Sequence, residues 1–141
     1  MTQNVSELTY AIEKAGRHNK KEAFGYYGDL FKTRLNNLEE AFTWYKKGAE
    51  AGDPYAQYQL SKMFCEGEGI AQPDASNCYA WLKMAQEEQT PLLNGLIQIS
   101  LETVRANTTP EEIERGENIF NSLKKSPEEK IKEKNSNLSF F

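Results

Sequence analysis

Valine is almost missing from this chain, occurring twice in 141 residues. So few β-branched residues argue against a sheet, because strands favour them. Leu, Ile, Val and Phe together occupy 28 of the 141 positions, near the ~20% floor for chains that fold. Ala, Tyr, Trp and Met must therefore supply much of any core. No run approaches the ~18 apolar residues that a membrane span requires. The first twenty residues are polar and mixed in charge, without the apolar segment of an export signal. There are only two cysteines, too few for a disulfide framework, and with no export signal the expected compartment is the reducing cytosol. A single histidine and those two cysteines cannot assemble a metal cluster. Net charge −4 and pI near 5.2 argue against nucleic acid, whose phosphates need a basic surface. The expectation is a small, soluble, acidic, helical domain with no membrane attachment.

The chain does contain regular punctuation. Its prolines fall at 54, 73, 91, 110 and 127, and four follow a capping residue: Asp53-Pro54, Thr90-Pro91, Thr109-Pro110 and Ser126-Pro127. Proline suits the first helical position, whose N–H has no intrahelical partner, and the preceding oxygen accepts from a free N–H of the first turn. Glu112 and Glu129 stand three residues after Thr109 and Ser126, the spacing of a capping box. Pro73 is the exception, with Asp74 the better cap, while Asn36 with Glu39 and Asn4 with Glu7 repeat the pattern without proline. The punctuation predicts helices over about 4–16, 20–33, 37–51, 54–66, 74–88, 90–106 and 110–125.

These helices repeat. A shift of 33 places Val5, Leu8, Ala11, Ile12 and Ala15 on Leu38, Ala41, Trp44, Tyr45 and Gly48. The same shift takes Ala23, Tyr27, Gly28 and Phe31 to Ala56, Leu60, Ser61 and Phe64. Shifts of 37 and then 38 carry the second set onto Ala75, Cys78, Trp81, Leu82 and Ala85, and then onto Ile113, Gly116, Ile119, Phe120 and Leu123. Phe31 to Leu38 is 7 steps and Phe64 to Ala75 is 11, so four residues are missing from the first inter-helix loop, where length change costs little. No such hairpin buries its apolar stripe alone; stacked neighbours do so.

The stretch Ala41-Phe-Thr-Trp44-Tyr45-Lys-Lys-Gly-Ala-Glu50-Ala-Gly52-Asp53-Pro54-Tyr-Ala56-Gln57-Tyr-Gln-Leu60-Ser, followed by Gly67-Glu-Gly69-Ile70 and Asp74, resembles a Sel1-like repeat, a relative of tetratricopeptide repeats. One unit matches closely and the flanking ones are degenerate. Ser61 stands for the helix-packing glycine, Cys78 for an alanine, and the first loop lacks its G-x-G. The resemblance covers roughly residues 5–125 and implies an all-α fold, an α/α solenoid of about seven helices in antiparallel hairpins that works by binding other proteins. The expected division is a solenoid over 4–125 and a polar tail over 126–141, with a short frayed helix and an apolar end at Leu138, Phe140 and Phe141.

Catalysis finds little footing. His18, in the polar run Arg17-His-Asn-Lys-Lys, reads as a solvated residue at a helix end. Ser122-Leu-Lys-Lys125 matches S-x-x-K, a pattern common by chance, without its companion motifs. Gly67-Glu-Gly69 resembles a phosphate loop only superficially, since Glu66 and Glu68 would repel a phosphate. Cys65 and Cys78 flank one loop across a hairpin, so a bridge is conceivable. The favoured reading is a small packing residue at 78 and a spare thiol at 65. The cysteine-rich branch of the family, associated with β-lactam binding, places its cysteines elsewhere in the repeat. No catalytic residue, cofactor or metal is expected, and a hydrolase or β-lactam-binding enzyme is the least supported reading.

The resemblance implies that the first helix of each hairpin lines a concave groove. Its candidate residues are Tyr55, Tyr58, Gln59 and Lys62 in the middle repeat. Glu22, Gly25, Tyr26 and Asp29 stand one repeat earlier, and Leu92, Gly95, Leu96 and Ile99 one repeat later. The groove would grade from acidic through aromatic to apolar, with tyrosines as anchors. The alternative is that Tyr55 and Tyr58 pack on the adjacent helix. The helix over 90–106 is apolar nearly all round, which implies burial on more than one side. Leu138, Phe140 and Phe141 are candidates to dock on its Leu92/Leu96/Ile99 face or in another molecule, against the alternative of a disordered tail. The expected function is a cytoplasmic, non-catalytic adaptor for a protein or peptide, monomeric or weakly homo-oligomeric. The competing role is an inhibitor or immunity protein that neutralises a toxin or enzyme by direct binding, which an acidic surface would suit against a basic target.

Overall fold

The computed structural model describes residues 20–138. Within them the chain forms seven α-helices and no strand: α1 Lys20–Thr33, α2 Leu38–Glu50, α3 Pro54–Glu66, α4 Ala75–Glu87, α5 Pro91–Asn107, α6 Pro110–Lys124 and α7 Pro127–Leu138. The expected helix over 4–16 and His18 lie outside the described residues.

Local chemistry sets most of the boundaries. Asp53 accepts from the Ala56 N–H at 3.2 Å and starts α3, with Pro54 at its first position. Asp74 accepts from the Asn77 N–H at 3.0 Å and starts α4. At α6 the capping box closes both ways: the Thr109 hydroxyl accepts from the Glu112 N–H and donates to the Glu112 carboxylate, each at 3.2 Å. Ser126 accepts from the Glu129 N–H at 3.2 Å and starts α7. Two expected caps differ. Thr90 precedes α5 without a side-chain cap bond. Asn36 takes the left-handed conformation, φ +49°, which asparagine tolerates, and so hands the capping role to Asn37, which accepts from the Glu40 N–H at 3.2 Å. The α3–α4 loop uses Gly67 and Gly69 at φ +72° and +73°, where a side chain would be strained.

The helices stack in two layers, α1, α3 and α5 in one and α2, α4 and α6 in the other. The packed pairs are α1 with α2, α2 with α3, α3 with α4, α1 with α3, and α4 with both α5 and α6. Small residues make the close approaches possible. A Cβ on Gly48 would lie 2.8 Å from that of Ala56, which holds α2 against α3. A Cβ on Gly116 would lie 2.7 Å from the Tyr79 ring and 2.9 Å from the Ser76 carbonyl oxygen. There α6 lies directly on α4, and the Ser76 hydroxyl donates to the Glu112 carbonyl at 2.8 Å. Ala41, Tyr45, Ala49, Ala56, Leu60, Met63 and Trp81 form one buried cluster. Tyr58, Cys78, Tyr79, Leu82, Ile97, Leu101 and Val104 belong to a second, nearer α5. Tyr27 and Ala23 close the α1 end, with Trp44 stacked 6.0 Å from Phe24 and tilted by 46° against Tyr27 at 4.7 Å. The four-residue loop 34–37 against the eight-residue loop 67–74 accounts for the change of repeat period.

Candidate functional site

The α1/α3/α5 layer holds the expected groove residues, and the structure divides them into three kinds. Some are structural. The Tyr55 hydroxyl bonds to both carboxylate oxygens of Asp29, each at 2.9 Å, and the Tyr45 hydroxyl donates to the same carboxylate. Tyr45 is 1% exposed. Burial, followed by the Asp29 hydrogen bond and charge, drives both phenols far above their usual range. Asp29 and Tyr55 therefore latch the first repeat to the second.

Tyr58 corrects an expectation. It is buried among Leu82, Ile97 and Leu101 rather than standing open as an anchor. A helix in the middle of a stack has a neighbour on each side, so α3 spends Tyr55 on α1 and Tyr58 on α5. What remains open is different at each end of the layer. Glu22 and Tyr26 are exposed on α1, Tyr26 by 62%. Gln59 and Lys62 are half-buried on α3, with the Lys62 ammonium 5.8 Å from the centre of the Tyr58 ring. Leu92, Leu96 and Ile99 are exposed on α5 by 89%, 49% and 63%. Leu138 ends α7, and Phe140 and Phe141 lie outside the described residues.

An apolar cleft of about 220 Å³ opens between α3 and α5, with Lys62 and Glu66 on one wall and Ile99, Thr103 and Val104 on the other. The repeat register explains it. Gly25 accepts Tyr55 so closely that a Cβ there would lie 3.1 Å from the ring, and α1 packs against α3. One repeat on, the position of Gly25 is Tyr58 and that of Tyr55 is Leu92. A phenol ring cannot admit the same approach, so Leu92 stays outside and the cleft remains.

Cys65 and Cys78 line the floor of this cleft and form a disulfide, with Cα atoms 5.2 Å apart. This overturns the reading of a spare thiol at 65. The loop returns the chain so tightly that the end of α3 and the first turns of α4 face each other, within the span a bridge needs. The two cysteines occupy a hairpin whose geometry the repeat fixes, and that was the one available sequence signal.

Beside the cleft, the Glu68 carboxyl next to it, then burial, raises the Glu66 carboxyl above its usual range. Lys32 sits 3.8 Å from Glu68. The folded state thus keeps a proton that the unfolded chain has released, so stability falls as pH rises from the unfolded carboxylate pKa through the folded one. Glu66→Gln should raise Tm at pH 7, and the advantage should shrink as pH falls through the carboxylate range. Because Glu66 is solvent-exposed, screening limits the gain to on the order of 1 °C; thermal melts at several pH values measure it.

Two of the motifs considered for catalysis make structural contacts. Lys125 donates its N–H to the Ser122 carbonyl at 3.2 Å and pairs through its ammonium with Glu133 at 2.7 Å. Gly67-Glu-Gly69 forms the α3–α4 turn. Among the described residues, no three of His, Cys, Asp and Glu group as a metal site, and no helix is long and apolar enough to cross a membrane.

Residues 23–53 and 54–87 each match the Sel1 repeat family. No curated protein matches the chain. The latch at Asp29, the close approach at Gly48 and the bridged hairpin all fall within those two matched units, and residues 23–87 form two Sel1 repeats.

Proposed function

We propose that the protein is a non-catalytic adaptor that binds a protein or peptide along the α1/α3/α5 layer. Sel1 repeats generally mediate protein–protein interaction and are typically non-catalytic. The observation that carries the reading is Tyr26: a large aromatic, 62% exposed, on a helix held rigidly by its neighbours. Such a side chain offers contact area at little entropic cost. Glu22 stands one turn away on the same exposed face, which favours a basic partner segment.

The inhibitor or immunity role would use the same face and has only the acidic charge in its favour. The Cys65–Cys78 bridge bears on the compartment. The cytosolic placement expected from the sequence rested on the low cysteine count and the lack of an export signal, whereas a disulfide supports an oxidising compartment.

The experiment is an affinity pull-down from the native host with wild type and Tyr26→Ala. This site is exposed, so its substitution should leave the melting temperature within about 2 °C while removing at least one specific prey. An unchanged prey profile would dismiss this face. A single prey held at nanomolar strength would favour the inhibitor over an adaptor.

A further inference from the structure

The two sulfurs on the floor of the α3–α5 cleft are chemically unequal. Cys65, near the end of α3, is half-buried and lines the cleft. Cys78 is 2% exposed and packs among Tyr58, Leu82 and Ile97. A reagent that comes down the cleft therefore meets Cys65 first. Lys62 and Glu66 stand one turn apart on the same wall, opposite charges that leave the entrance without a preference of sign. A cleft of about 220 Å³ admits a small molecule and excludes a folded domain. The hairpin also keeps its shape through bonds that owe nothing to the bridge. The Glu68 N–H donates to the Met63 carbonyl at 2.9 Å, and the Asp74 N–H donates to the Phe64 carbonyl at 2.8 Å. Gly69 lies so close to α2 that a Cβ there would strike the Leu38 carbonyl. These contacts keep the two sulfurs facing each other when the bridge is open.

We propose that Cys65 is a site of reversible thiol–disulfide exchange with a low-molecular-weight thiol, and that Cys78 is its resolving sulfur. The incoming thiolate attacks Cys65 Sγ, the Cys65–Cys78 bond breaks, and Cys78 leaves with the electron pair and takes up a proton. The thiol's substituent then lies in the cleft. In the return step Cys78 gives up that proton and attacks Cys65 Sγ, which expels the small thiolate and restores the bridge. In the forward step a second small thiolate attacks the bound thiol's sulfur and releases Cys65 as a thiolate. Two thiols are then oxidised to one disulfide, and the bridge is reduced to two thiols. Burial assigns the roles. An apolar surround disfavours a thiolate at Cys78, which makes it a slow point of entry and a reluctant leaving group, so the bridged form is the resting one. Its fixed position opposite Cys65 makes it an effective internal nucleophile all the same.

The two single-alanine variants of the full-length chain separate the sulfurs, since each keeps one free thiol. The probe is hydroxyethyl disulfide, a small neutral molecule. Free Cys65 in Cys78→Ala should form the mixed disulfide at least about tenfold faster than free Cys78 in Cys65→Ala, and denaturant should bring the two rates within about threefold. Equal rates in the folded state, a faster Cys78, or a ratio that persists in denaturant would overturn the assignment. Wild type supplies a second reading that does not depend on either variant folding. Oxidised protein held with mercaptoethanol under native conditions, quenched in acid and mapped by mass spectrometry, should carry the small thiol on Cys65 and none on Cys78. Adduct on Cys78, or no adduct outside denaturant, would sink the proposal. Each of these results leaves the Tyr26 reading standing, since that rests on a different helix.

Discussion

Reduction of the Cys65–Cys78 bridge should destabilise the protein by about 3 kcal/mol, the loop-closure entropy expected for a closed loop of this length. The two cysteines are 13 residues apart, and a chain of this size should lose roughly 10 °C of Tm. Cys78 is buried against the Tyr58, Leu82 and Ile97 cluster, so serine there would add an unsatisfied hydroxyl. Alanine at both positions isolates the cross-link. The alanine double variant should therefore melt where reduced wild type melts, and adding reductant should not lower it further. The bridge also forms the floor of the α3–α5 cleft, so its loss should raise hydrogen exchange first in the α3–α4 loop and the opening turn of α4. Equal melting temperatures for oxidised and reduced wild type would mean that the hairpin, rather than the cross-link, holds this corner.

Helix positions were legible because their causes are local. Asp53, Asp74, Thr109 and Ser126 each satisfy an N–H of the turn they begin, and no distant residue is needed to recognise them. Asn36 and Asn37 show the limit. Two adjacent residues of one type both suit a cap, and the left-handed turn at Asn36 decides between them. Thr90 fails differently: its backbone starts α5 while its side chain makes no cap bond. The repeat register was equally legible, because each stripe must meet the next.

The candidate site was legible only in part, and the reason is positional. Periodicity separates a helix's core face from its opposite face, but it does not count the neighbours on that opposite face. Tyr55 and Tyr58 stand on the face of α3 that leads away from α4, and both are taken, one by Asp29 and the other by Ile97 and Leu101. The signal available was the small residue opposite: Gly25 marks where a ring lies close. Leu92 and Ile99 show the converse. Their apolar character suggested burial, yet the bulk of Tyr58 keeps α5 from the approach that α1 makes, and the stripe remains open.

Asp29→Ala should cost about 3 kcal/mol, more than removal of either tyrosine hydroxyl alone. Its carboxylate accepts from both Tyr45 and Tyr55, and a hydrogen bond to a charged acceptor contributes about 1.5–3 kcal/mol. Removing the acceptor also takes the one carboxylate partner from the hydroxyl of Tyr45, a residue 1% exposed. Tyr55→Phe leaves Asp29 one phenol and a partly open side, so its cost should be nearer 1 kcal/mol. In a double-mutant cycle, Asp29→Ala combined with Tyr55→Phe should fall short of the sum, because both changes remove the same bond. Alkaline titration supplies a second readout. Folding holds the Tyr45 and Tyr55 protons far above the ordinary phenol pKa. The folded state therefore binds more protons above about pH 10, and stability must fall as pH rises beyond that point. Tyr45→Phe should flatten this alkaline loss while leaving neutral stability lower by about 1 kcal/mol. An Asp29→Ala variant within about 0.5 kcal/mol of wild type would mean that the two phenols pair without the carboxylate, and that stacking alone joins the first repeat to the second.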